Sequence, residues 1–279
     1  MQCHEVCNEQ QTQNCTSCHM PKSSSTDIMH VAITDHKIGI HKEVKAAKGE
    51  FLGLIAMNNA KQTNLSKAKA YLKHYESFEA NPLYLDSAFY FLQKTVPYFP
   101  SYVQYFYLKQ DDKGLINFVM NNEVDSTKYS NSSLAMAYSR VGEVFARNKM
   151  SSTAEKYFNK ATVRMPFVID YKIKQGAFLL KQKQLSASKI VFSDALTLNP
   201  TFKEIHLNLG YVFLLENNFE KADLYLKQAL ALDPDYVLAY ENLVLLAQMQ
   251  NKIEQAKVYL NKILEIAPNH KAKTILEKI

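Results

Sequence analysis

From residue 135 onward, apolar residues recur at three- and four-residue steps in blocks of about a dozen. That is the period of one buried face of an α-helix. Within residues 203–236, Leu209, Gly210 and Phe213 share one face of a first helix, and Asn217 and Asn218 interrupt it. Ala222, Leu226 and Ala229 share one face of a second helix, and Asp233 and Pro234 end the unit. Proline cannot continue a helix and restrains the residue before it. The layout returns with a fixed step: Gly142, Gly176 and Gly210 stand 34 residues apart, as do Pro166, Pro200, Pro234 and Pro268. Ala161, Ala195 and Ala229 keep that step, and so do Ala154, Ala222 and Ala256, with Ser188 in the gap. The small residues let the two helices of a hairpin approach closely. A single hairpin cannot bury its apolar face alone, so neighbouring units must stack.

This pattern resembles the tetratricopeptide repeat over four units, residues 135–168, 169–202, 203–236 and 237–270. Its early aromatic is present as Tyr138 and Tyr240 but replaced by Lys172 and His206 in the middle units. The following large residue is Phe145, Leu179 and Phe213, and in the last unit Val244 stands for the glycine and Ile263 for the alanine. Residues 271–279 read as the start of a capping helix. Residues 43–134 predict diverged helical hairpins off the 34-residue register, with helices over 65–77, 82–94, 102–108 and 113–120. The fold expected is all-α, a right-handed solenoid of helical hairpins preceded by a short, loop-rich segment over residues 1–42.

Stacked hairpins line a concave face with their first helices. In tetratricopeptide domains that grip carboxylates, Lys and Asn recur at the fifth and ninth positions of the units. Here those places hold Ser139 and Glu143, Ile173 and Ala177, Leu207 and Tyr211, and Glu241 and Leu245. The carboxylate clamp is therefore absent, and the groove reads as apolar to mildly acidic, suited to a protein surface or a helix laid along it.

Composition narrows the classes further. The 279 residues are 47% hydrophobic and 22% charged, which excludes a disordered chain. No apolar run approaches the roughly 18 residues of a membrane span. The net charge of +6 is spread along the chain, and only Arg140, Arg147 and Arg164 are arginine, so no nucleic-acid footprint emerges. His74, His206 and His270 have no Ser, Cys or carboxylate at a telling spacing, so no catalytic constellation is visible and the chain reads as a non-enzyme.

The cysteines are concentrated at one end. All four, Cys3, Cys7, Cys15 and Cys18, fall in the first 18 residues, and five of eight histidines, His4, His19, His30, His36 and His41, in the first 41. Cys15-Thr16-Ser17-Cys18-His19 is a C-x-x-C-H, the attachment signature of c-type haem. Its two thiols reach the two vinyl groups of a porphyrin edge, and the adjacent histidine ligates the iron. Cys3 and His4 would end a second such motif, Cys-Met-Gln-Cys-His, which makes Met1 an internal methionine of a longer chain. Three other chemistries compete. Cys3, Cys7, Cys15 and Cys18 form a candidate zinc site in a cytoplasmic repeat adaptor, although their spacing is unusual and His19 would be idle. A C-x-x-C redox pair lacks its βαβ context. Disulfides such as Cys3–Cys7 and Cys15–Cys18 suit an oxidising compartment.

Residues 14–38 also resemble the last haem segment of periplasmic multihaem cytochromes c whose C-terminal half is a tetratricopeptide array. In that family Cys-His-Met-Pro is followed by His-Val and Asp-His. Here these are His19-Met20-Pro21, His30-Val31 and Asp35-His36, and the helical region from Phe51-Leu52-Gly53 to Tyr84-Leu85-Asp86 is similar as well. The resemblance implies haem c held by Cys15, Cys18 and His19, with His36 or His30 as the second iron ligand. His36 is favoured, and His30 is assigned to a neighbouring haem. Bis-histidine iron has no open position, which implies electron transfer to a protein redox partner or complex subunit docked on the repeat array.

Overall fold

The computed structural model describes residues 62–278 and the backbone of four residues before them. The chain divides into two compact units, 1–53 and 54–279. In the first, β1 (Lys22–Ser23) pairs antiparallel with β2 (Ile33–Thr34), Lys22 facing Thr34 and Ser23 facing Ile33. The apolar pattern does not predict this pair, because two-residue strands are too short to show alternation.

The second unit is helical. Two N-terminal hairpins comprise α1 (Asn64–Ser77) with α2 (Pro82–Leu92) and α3 (Phe99–Leu108) with α4 (Asp112–Asn121). A 3-10 turn (Ser126–Lys128) follows. Four more hairpins are α5 (Asn131–Arg147) with α6 (Ser151–Arg164), α7 (Ile169–Lys181) with α8 (Leu185–Leu198), α9 (Lys203–Leu215) with α10 (Phe219–Leu232), and α11 (Val237–Met249) with α12 (Ile253–Ile266). The short α13 (Ala272–Leu276) packs on α12.

Each first helix touches the first helix of the next hairpin, from α1 through α3, α5, α7 and α9 to α11. The N-terminal hairpins therefore continue the same stack although their sequence has left the 34-residue register. Their boundaries come from local chemistry. Thr63 accepts from the Ser66 amide at 3.0 Å, Asp111 accepts from the Gly114 amide at 2.8 Å, and Pro82 and Pro100 sit in first turns, where a missing N–H costs nothing. Helix α5 begins four residues before its repeat unit because Ser130 caps it, accepting from the Ser133 amide.

Five hairpins turn in one way. Gln110, Lys149, Lys183, Asn217 and Asn251 all have φ between 57° and 63°. In each case the next amide donates back to a carbonyl in the last turn of the preceding helix, as Asn218 N does to Phe213 O at 2.8 Å. This left-handed closure satisfies carbonyls that a helix end leaves open. Only the two asparagines are at ease there, so the sequence announces the break at 217 more clearly than at 149 or 183.

The repeat glycines sit where packing is tightest. A Cβ on Gly176 would lie 2.6 Å from the Phe192 ring, and one on Gly210 would lie 2.8 Å from the Leu226 side chain. Ser188 fills its alanine slot while fully buried, and its hydroxyl donates to the Gly176 carbonyl at 2.9 Å. His206 takes the aromatic slot and is also buried, its Nε2 lying 2.7 Å from the Pro200 carbonyl. His74 packs in an aromatic cluster, its ring 4.7 Å from Tyr84 and 5.4 Å from Phe78.

Candidate functional site

The haem and zinc candidates of the sequence, Cys3, His4, Cys7, Cys15, Cys18, His19, His30, His36 and His41, lie outside the described residues. Among the described residues, the surface best suited to a ligand is the face formed by the first helices.

Its N-terminal half is charged and internally paired. Arg140 on α5 pairs with Glu76 on α1, and Gln104 on α3 donates to the same carboxylate at 2.8 Å. The Arg147 Nε donates to Asp112 at 2.7 Å, and the Asn148 amide donates there too. Those hydrogen bonds hold the Asp112 carboxyl below the usual carboxylate range despite partial burial. Glu143 accepts from the Tyr107 hydroxyl at 2.6 Å and faces the Lys174 ammonium at 2.8 Å. Burial, with help from Glu143, pushes the Tyr107 phenol up. Burial works to lower Lys174, but Glu143 and Asp170 outweigh it and hold the ammonium above its ordinary value.

The C-terminal half is apolar. Leu215, Leu245 and Met249 are 40%, 37% and 41% exposed beside the half-buried Ile173, Leu207 and Tyr211.

The mild acidity expected from Glu143 and Glu241 is corrected here. Glu143 is neutralised by Lys174, and Glu241 by Lys271 at 2.9 Å. Residues far apart in the chain make these pairs, so position-by-position inspection of the first helices misses them. Removing Glu143 should therefore cost stability. Glu143→Ala leaves the Lys174 ammonium with Asp170 alone and strands the Tyr107 hydroxyl, with an expected loss of about 1–3 kcal/mol, while Glu143→Gln retains a partner for Tyr107 and loses less. Urea unfolding of both variants measures this, and equal losses would refute the role of the tyrosine bond.

Residues 214–279 match the tetratricopeptide repeat family. No curated protein matches the chain in sequence. Solved structures do match it in fold. YrrB, a TPR protein with an unusual peptide-binding site, is 21% identical over 76% of this chain and 100% of its own, with a TM-score of 0.50. PilF of Pseudomonas aeruginosa is 14% identical over 76% of this chain and 96% of its own, with a TM-score of 0.56. The MamA RS-1 ArsTM double mutant is 18% identical over 60% of this chain and 92% of its own, with a TM-score of 0.52. The matched repeats, the stacked hairpins and these neighbours together show that the chain carries an all-α tetratricopeptide-repeat solenoid.

Proposed function

We propose that this chain is an electron-transfer haem c segment carried on a repeat scaffold that docks a protein partner. The observation that carries the scaffold half is the run of exposed large apolar side chains, Leu215, Leu245 and Met249, on the first-helix face. The structurally similar YrrB is a TPR protein with a peptide-binding site, which supports the same use of the fold. The haem half is supported by the Cys15–His19 motif and by the resemblance of residues 14–38 to multihaem cytochromes. Cys15 and Cys18 would hold the porphyrin covalently, with His19 and His36 or His30 on the iron, and Cys3 and His4 would belong to an adjacent site. The haem, when bound, supplies reversible one-electron transfer. The partner is then a redox protein or a subunit of the same complex, and the compartment is the periplasm.

The test is intact mass and absorption of the chain, exported behind a supplied signal peptide in cells that mature c-type cytochromes. Covalent haem with low-spin bis-histidine features is expected, lost in Cys15→Ser and Cys18→Ser. His36→Ala and His30→Ala then identify the distal ligand. A colourless protein holding zinc would replace this reading with the adaptor bearing a zinc knuckle on Cys3, Cys7, Cys15 and Cys18.

A further inference from the structure

The first-helix face is not uniform along its apolar half. The ninth position of the four units holds Glu143, Ala177, Tyr211 and Leu245. Ala177 is the smallest of these and is exposed. Beside it a cleft of about 600 Å³ opens between the ends of α7 and α9. Leu180 and Leu185 line one side, and Tyr211 and Leu215 the other. The volume suits about two or three residues of a peptide, with one large apolar side chain on the floor.

The rim carries the second observation. Lys181 and Lys183 stand at the mouth, and no carboxylate lines the cleft among the described residues. Lys183 is the residue held at φ 61° in the turn between α7 and α8, which fixes its backbone at the edge of the cleft. Three other cations of this face are paired: Arg140 with Glu76, Arg147 with Asp112 and Lys174 with Glu143. Lys181 and Lys183 make no ion pair among the described residues, and both are exposed. An apolar floor under two unpaired ammonium groups is complementary to an apolar side chain flanked by carboxylates.

We propose that this cleft is the anchor pocket of the docking groove and takes a leucine or phenylalanine from an acidic segment of the protein partner. The proposal rests on the reading of the array as a docking scaffold and names the partner's chemistry. The anchor supplies the buried apolar contact, and the lysines orient the segment and speed its arrival. The paired N-terminal half of the groove, already neutral, would contribute shape and little charge.

The test uses the full chain and a set of labelled twelve-residue peptides. Each carries one central leucine, set among glutamates, among lysines, or among serines. The acidic leucine peptide should bind best, and its affinity should fall as salt rises. Ala177→Leu covers part of the cleft floor from an exposed helical position and should weaken that peptide about tenfold, with an unchanged circular dichroism melt. Lys181→Glu with Lys183→Glu should weaken it several-fold and reverse the preference toward the lysine peptide. Equal binding of the acidic and basic peptides, or full binding to Ala177→Leu, would overturn the pocket. Binding of the serine peptide that is lost in Leu245→Glu but kept in Ala177→Leu would overturn the pocket and leave the scaffold reading intact. Failure of every peptide to bind would overturn both.

Discussion

Replacing Phe192 with alanine should cost about 3–5 kcal/mol, among the largest losses from a single truncation in the array. Phe192 has no exposed surface and lies in the cluster joining the second and third repeats with Ile205, Leu209 and Leu226. Its ring fills the space that Gly176 leaves, so the two residues form one device. Gly176→Ala puts a methyl 2.6–2.9 Å from three ring atoms. That overpacking should cost about 1–3 kcal/mol, partly offset by the gain of roughly 1 kcal/mol for alanine over glycine in a helix. The last repeat shows the alternative solution, in which Val244 and Leu260 stand where Gly176 and Phe192 do, and both are buried. Gly176→Ala should therefore be much better tolerated beside Phe192→Leu than alone. Urea midpoints for the two single variants and the double variant measure this coupling. Strict additivity would show that the ring and the glycine do not share one space.

That pairing also shows how the sequence could be read. The 34-residue step aligns Phe158, Phe192, Leu226 and Leu260 opposite Gly142, Gly176, Gly210 and Val244, so the interior of the hairpins is visible as a pattern. The step fails before residue 131, yet the stack continues there. Hairpin starts at 64, 99 and 131 are spaced unequally because the turns and caps differ, while first helices still meet first helices. Periodicity detects equal spacing and not stacking, so α1–α4 were legible as diverged helical hairpins and their exact units were not. The groove was legible only where its chemistry is local. Ala177 and Tyr211 announce an apolar floor through their positions in the repeat. The pair of Arg140 with Glu76 spans 64 residues and the Tyr107–Glu143 bond spans 36, and no spacing rule connects either.

A loss of stability above pH 10 is the second large effect, and it follows from the partly buried tyrosines. Tyr236 follows Asp233 in the turn before α11, with the Lys203 ammonium 4.7 Å from its ring. Burial, then the nearby charges of Glu204 and Asp233, pushes its phenol from 10.0 up to about 12. Burial leads the upward displacement of Tyr102, Tyr107, Tyr138, Tyr157 and Tyr171 as well. In the unfolded chain these phenols ionise near their ordinary value. Between about pH 10 and 12 the folded state thus holds protons that the unfolded state has released, and stability falls as pH rises. The tyrosine contribution is whole below pH 10 and is lost as the pH passes through the raised values. Tyr236 alone should account for about 1–2 kcal/mol after discounting for its partial exposure. Lys160 and Tyr90 oppose the trend, since burial lowers the ammonium and the hydrogen bond with Lys94 lowers the phenol, but they are two groups against several raised phenols. Tyr236→Phe removes the titration while keeping the ring. It should match the parent near neutrality in urea unfolding and lose less stability than the parent through the alkaline range. An alkaline slope identical in both proteins would mean that the Tyr236 phenol ionises in the fold as readily as it does in the unfolded chain.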